Sequence, residues 1–450
     1  MRTITSWLVQ AFLCCYVAAP AFGQGTVGRP VPTPSFSGFT PVVPGASAPM
    51  GGLPQLTGPL GRPNAPTAVL SGRPTDEAQR AIEESRMAGR SSGTSRPYPG
   101  PFRFAQYSAP TTARATQAFE EARLRLEAML SGKEPLELNK AVEVMERPLL
   151  DSTVQIGSTT AMVDRLAAMV RARLVEQGLD PHDPEAVHLG IQQLYRDTFL
   201  DPLSGKEWRP LRYDFEDPNG ENELAQVTVA KLLWSGEGQC RSMPLLYLMV
   251  AERMQVEAYL AFAPNHSYVK FRDRSGTYLN FETTNGRLAS DAWIAGSGYV
   301  KTEGIKSRVY LDTVGTRRMV AHLLVDLATY YEQRFGYNAP FMERCLERAL
   351  QEYPQDIHGW LELSNLRTAT FDRAAWAEGY PQLASLPTTH PALSERYAEL
   401  KSLYGKVDRM GYAPMPPEAY ARWRSSVDIE REARARKELA QPLQQPALSK

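Results

Sequence analysis

The chain has 450 residues, 43% of them apolar and 22% charged, which is room for two or three domains of ordinary globular composition. Lys plus Arg equals Asp plus Glu at 50 each, so no net charge draws the whole molecule to nucleic acid or to an anionic membrane. Past the N-terminus there is no run of about 20 apolar residues, so no transmembrane segment is expected.

The first residues read MRTITS, then WLVQAFLCCYVAAP, then APAFGQ. A basic start, a short apolar run and small residues before a cleavage point predict a secretory signal peptide over 1–23, and hence export to a periplasmic or extracellular space. Cleavage near Ala21 or Gly23 removes Cys14 and Cys15 and leaves Cys240 and Cys345. An exported protein commonly pairs its cysteines. Here Cys345 falls on the apolar stripe of a later helix, and the two thiols are expected to stay free. From 24 to 112 Pro, Gly, Ser, Ala and Thr dominate, and apolar residues stand singly without period. Such a stretch cannot bury enough surface to offset ordering, so it reads as a disordered linker with at most a short helix over Asp76–Met87.

From 113 to 222 apolar residues recur three and four apart in several runs, among them DPEAVHLGIQQLYRDTF, which Asp183 and Pro184 start as a helix should start. This predicts a helical subdomain. His182 and His188 lie in it without ligand-type neighbours at helical spacing and are read as structural. Lys206–Glu223 reads as a loop or hairpin near a site mouth. NELAQVTVAKLLW reads as one helix leading to Gly236 and Gly238, glycines that let the backbone approach the next residues closely.

Those next residues carry chemistry. After Cys240 the apolar positions Met243, Leu246, Tyr247, Val250, Ala251 and Met254 outline a core helix. Pro244 fits only its first turn, and Ser242 is the expected N-cap. Cys240 therefore stands at a helix N-terminus, where unpaired N–H groups and the macrodipole favour the thiolate, the nucleophilic form. A small buried hydrophobe is the plainer role for a free cysteine.

Downstream, HSYVKFR and TYLNFETT flank DRSG, a hairpin pattern. Alternation puts Val269, Phe271, Leu279 and Phe281 on one face and His266, Tyr268, Lys270, Tyr278, Asn280 and Glu282 on the other. A three-residue loop, Arg274-Ser275-Gly276, ending in a left-handed glycine, keeps that parity and sets Glu282 opposite Tyr268, one diagonal step from His266.

A thiol at a helix start, a histidine on one strand and an acid on the next is the layout in which histidine takes the thiol proton and the acid orients the imidazole. The ordered triple, with Gly238-Gln239-Cys240 and the PNH turn before His266, resembles the transglutaminase-like superfamily over roughly Ala225 to Gly286. The likeness is to its bacterial branch joined to tetratricopeptide repeats. The resemblance implies Cys240 as nucleophile, His266 as base and then acid, and Glu282 where aspartate is usual. Arg241 stands where transglutaminases have tryptophan. Gly238, Gln239, Arg241, Asn265, Tyr268 and Asn280 would line the site, and the Cys240 backbone N–H and the Trp234 indole are candidate oxyanion donors.

The text after Gly286, SDAWIAGSGYVKTEGIKSRVYLDTV, mixes turn and strand patterns without a chemical motif. Helices return near Arg317, and Ala349, Pro354, Trp360 and Leu363 fall at the spacing of a tetratricopeptide junction. Helices of this kind stack and leave a face that could hold a protein partner. The remaining boundaries are a transglutaminase-like core at 223–315, a tetratricopeptide-like domain at 316–425 and a charged tail at 426–450. Phosphate-loop, dinucleotide, zinc-protease and nucleophile-elbow motifs are all missing, so no cofactor and no metal is expected. The expectation is an exported α+β protein with a papain-like core, acting on a protein or peptide substrate by thiol acyl transfer, as hydrolase or transamidase. The alternative is a non-catalytic scaffold that binds a protein partner.

Overall fold

A computed structural model describes residues 109–150, 158–217, 220, 223–381 and 383–413, with isolated positions at 429, 432 and 436. The expected signal peptide, nearly all of the linker and its short helix, and most of the charged tail lie outside the described residues.

The fold is α+β. Helices α1 (Ala109–Leu130), α2 (Leu138–Glu146), α3 (Ser158–Glu176) and α4 (Pro184–Arg196) come first. Short strands β1 (Phe199–Leu200), β2 (Glu207–Trp208) and β3 (Arg212–Tyr213) follow. Next come α5 (Val229–Ser235), β4 (Glu237–Gly238), α6 (Ser242–Met254) and strands β5 (Tyr259–Ala263), β6 (His266–Arg272), β7 (Tyr278–Glu282) and β8 (Arg287–Ala289). Helices α7 (Asp291–Ser297) and α8 (Thr302–Lys306) lead into α9 (Thr316–Phe335), α10 (Ala339–Glu352), α11 (Ile357–Ala377), α12 (Leu386–Thr389) and α13 (Pro391–Arg409).

Local rules account for most boundaries. The Asp183 side chain accepts from the Glu185 N–H ahead of Pro184, as the sequence predicts for α4. The N-terminus of α2 is closed from a distance instead. Glu252 of α6 accepts from the backbone of Leu138 at 2.7 Å and of Asn139 at 2.9 Å. A carboxylate there satisfies orphan N–H groups and meets the positive helix end.

Strands β5 to β8 form one antiparallel sheet in sequential order. Helix α6 packs on the face carrying Phe271 and Phe281, where Phe281 meets Tyr247 and Tyr195 and Phe271 stacks on His188 at 4.3 Å. The other face carries Tyr268, which is buried with Ala261, Ala263 and Ile294 of α7. One apolar core runs from Phe119 of α1 through α6 and the sheet to Val407 of α13, so the three stretches separated by sequence share their interior. A second cluster, Phe371, Ala375, Leu386, Leu393 and Leu400, holds the far C-terminal helices together.

Several expectations change. The run from Asn222 to Trp234 is not one helix: a 3-10 turn over Leu224–Val227 stops at Thr228, whose side chain then caps α5 by accepting from the Lys231 N–H. Ser242 does not cap α6; it is the first helical residue, and Arg241 precedes it without a side-chain cap. The segment after Gly286 contains helices α7 and α8, with Ser290 capping α7. Beyond β8 its strand-like text is confined to Leu311 and Val314, which hydrogen-bond along β5. Gly236 takes a left-handed conformation (φ 75°) to end α5 and does not make a close approach, whereas Gly238 does.

Candidate functional site

Three elements bring the site together. Cys240 sits in the turn before α6, His266 begins β6 and Glu282 ends β7. The β6–β7 pairing sets Val269 against Phe281 and Phe271 against Leu279, and Gly276 closes the loop at φ 82°. Asp273 and Thr277 join across that loop by a 3.0 Å backbone hydrogen bond. Continued by one residue, this register sets Glu282 across from Tyr268, on the face of His266, as alternation requires.

The result is a direct contact: His266 Nε2 lies 2.6 Å from Glu282 Oε2. Cys240 is close enough to act on the ring, and helps to raise its pKa. All three residues are buried, at 0%, 2% and 1% exposure for Cys240, His266 and Glu282. Burial works to lower the imidazole pKa. The Glu282 charge and the Cys240 hydrogen bond oppose it, and the balance raises His266 to about 10. The ring thus favours its doubly protonated form at neutral pH, with Nε2 donating to the Glu282 carboxylate and the charge set beside Cys240.

The remaining predicted residues divide. Tyr268 is buried and its ring lies nearly parallel to that of His266, 6.2 Å between centroids. Asn265 takes φ 57° in the turn after Pro264, and so delivers His266 to the start of its strand. Asn280 is on the expected face but is engaged elsewhere, donating to Ala289 O at 3.0 Å and Asp291 Oδ1 at 2.8 Å. Gly238 is required by packing, since a Cβ there would lie 2.6 Å from Ser242 Oγ and 3.0 Å from Leu232 Cδ1. Gln239 points inward, with Nε2 donating to Gln226 O and Oε1 accepting from Ser242. Its amide is not placed to polarise a substrate.

Two expectations fail. Trp234 is 85% exposed, because α5 buries Val229 and Leu232 and turns position 234 to solvent. Its indole cannot serve as a donor at the buried thiol. Arg241 does not line a substrate surface either: its guanidinium is buried, bonded to Asp326, Glu146 and Val227 O. Burial works to lower its pKa, but Tyr330, Asp326 and Glu146 outweigh burial and hold it above the usual arginine value.

That network was invisible in the sequence. Glu146 accepts from Arg241 and from the Val229 N–H at the start of α5, joining α2, α5 and the cysteine turn. Asp326 continues it into α9, where His322 Nε2 lies 3.6 Å away and His322 Nδ1 meets Asp356 Oδ2 at 2.7 Å. Among the described residues His322, Asp356 and His358 offer ligand-type atoms within 4.8 Å of one another. Asp356 is already committed, accepting from the His358 and Gly359 N–H groups that begin α11. No short motif links positions so far apart in the chain. His188 is structural as expected, bonded to the Tyr247 hydroxyl at 3.0 Å and pushed down to about 4 by burial. Cys240 and Cys345 are both free, and Cys345 lies buried in α10 with its pKa raised by burial.

No family model, no curated protein and no solved structure matches this chain.

Proposed function

We propose that the chain is an exported cysteine enzyme with a papain-like, transglutaminase-like core that transfers an acyl group from an amide. The observation that carries this reading is the 2.6 Å contact from His266 Nε2 to Glu282, with Cys240 near enough to act on the same ring. The Cys240 sulfur, its proton passed to His266, adds to the amide carbonyl. The intermediate collapses as the amine leaves with the proton from His266, and a thioester remains on Cys240. Water or a second amine, deprotonated by His266, then releases the acyl group and restores the thiol. Glu282 keeps the ring oriented and stabilises its charge throughout. The Cys240 backbone N–H at the start of α6 is the donor assigned to the oxyanion.

A second reading, a protein-binding scaffold on which the triad is structural, draws support from the complete burial of Cys240 and from the helix-turn-helix at Pro354, where Trp360 Nε1 donates to Pro354 O at 2.8 Å. The two part on thiol chemistry. An electrophilic probe that mimics an amide should label Cys240 of the native protein, with Cys240→Ala as blank, and His266→Ala should cut the labelling rate sharply at the same pH. A wild-type protein labelled no faster than His266→Ala removes the catalytic reading.

A further inference from the structure

Cys240 has no exposed surface, so something must move before a substrate can reach it. One stretch of the chain runs directly beside the cysteine turn. Strand β3 lies parallel to β4, with Arg212 opposite Glu237 and Tyr213 opposite Gly238, and β4 runs straight into the cysteine turn. Arg212 N donates to Gly236 O at 2.9 Å and Asp214 N to Gly238 O at 2.7 Å. Alternation turns Arg212 to solvent and Tyr213 inward, where Tyr213 is 4% exposed. The register sets Tyr213 across from Gly238, two residues before Cys240, and burial first, with the charge of Cys240 after it, raises the Tyr213 pKa. Asp214 is fixed in turn by Lys231 of α5 and by the Glu216 N–H at 2.9 Å.

A two-residue strand has little stability of its own, and strand addition to an open edge is a standard way to bind an extended peptide. We propose that the β4 edge is the substrate groove of this site, that it takes an extended peptide with an aromatic residue followed by an acidic one, and that Leu211–Phe215 fills it as an internal stand-in. This rests on the reading of Cys240 as a nucleophile's position. In the closed state β3 uses the Gly236 and Gly238 carbonyls, Tyr213 covers the sulfur, and Lys231 holds the acid. Displacement of β3 frees all three for a peptide in the same register.

The test reads accessibility rather than turnover. Native full-length protein is treated with iodoacetamide and modification of Cys240 is followed by mass spectrometry, for wild type, Tyr213→Ala and Lys231→Met. Both variants should react at least about tenfold faster than wild type, and all three equally when unfolded. The acetylated, amidated pentapeptide of sequence Leu211–Phe215 should slow the reaction of Tyr213→Ala, and a scrambled pentapeptide should not. Equal native rates in wild type and in either folded variant would overturn the proposal, as would absence of protection by the pentapeptide. Should Tyr213→Ala fail to fold, Asp214→Asn, which loosens β3 but leaves Lys231 free for the peptide's acid, carries both measurements. No step here depends on acyl transfer. A groove that opens over an inert triad is therefore distinguishable from an active triad beneath some other cover.

Discussion

Arg241 reaches from the turn that carries Cys240 to Asp326 of α9, with 3.0 Å between Nη2 and Oδ2. Glu146 meets the same guanidinium at 3.3 Å, so a single cation holds two buried carboxylates and pins the cysteine turn between α2 and α9. Taking one member from a buried ionic group leaves its partners charged and unsolvated, which typically costs about 3–5 kcal/mol. Arg241→Leu should therefore destabilise by that order in urea unfolding. A loss below about 1 kcal/mol would show that the carboxylates find other partners or protonate at little cost.

Gly238 tests how tightly that turn is packed. Its missing side chain leaves room for Ser242 Oγ and the Leu232 methyl; a Cβ would stand closer to Ser242 Oγ than real side chains do, and tight against Leu232. Gly238→Ala should lose about 1–3 kcal/mol from overpacking, because part of the strain falls on the first turn of α6. A melting temperature equal to wild type would mean that Ser242 simply rotates away.

Gly276 differs in kind. A Cβ there meets nothing within 4 Å, so the requirement is the φ of 82° alone. Gly276→Val should cost about 1–3 kcal/mol through the backbone, and Gly276→Asn clearly less, since asparagine tolerates the left-handed region. Equal losses for the two would point to a cause other than φ.

These glycines show where sequence reasoning holds. The hairpin was legible because parity and turn chemistry are local: Gly276 fixes an odd loop, the loop fixes the faces, and the faces bring His266 and Glu282 together. The helix after Cys240 was legible for the same reason, through Pro244 and the apolar stripe. Arg241 was misjudged because a guanidinium beside a nucleophile reads as substrate-facing until Glu146 and Asp326, 95 and 85 residues away, are known to surround it. Trp234 was misjudged through proximity in sequence, although its own helix, with Val229 and Leu232 inward, turns it outward. The burial of the hairpin's polar face was missed as well. Lys270 reaches Asp291 at 3.0 Å and Leu311 O at 2.8 Å in a segment whose helices carry no strong periodic signal.

Asp356 combines two roles, capping α11 and pairing with His322. Burial works against its charge, but His322 and His358 outweigh it and hold the carboxyl well below its ordinary range. A depressed carboxylate pKa contributes stability above its unfolded value, about 3.9, and that stability is lost as pH falls through the folded value. The stability difference between wild type and Asp356→Asn, measured by urea unfolding, should accordingly be full at pH 5 to 6 and shrink below about pH 4. A difference independent of pH would leave only the cap, which the asparagine retains.

Glu282→Gln addresses the central contact. The glutamine keeps an oxygen within reach of His266 but removes the charge, which is the largest influence raising the imidazole against its burial. In wild type the ring should titrate far above 6.5, toward the value of about 10. In Glu282→Gln burial faces only Cys240 and the retained hydrogen bond, so the midpoint should fall, read by NMR on the His266 ring protons. The sign for stability follows: a histidine raised on folding stabilises fully below its unfolded pKa, about 6.5, and that contribution declines as pH rises through the folded value. Wild type should then exceed Glu282→Gln in stability most near pH 6, with the gap narrowing toward pH 10. A ring that titrates alike in both proteins would remove Glu282 from the site.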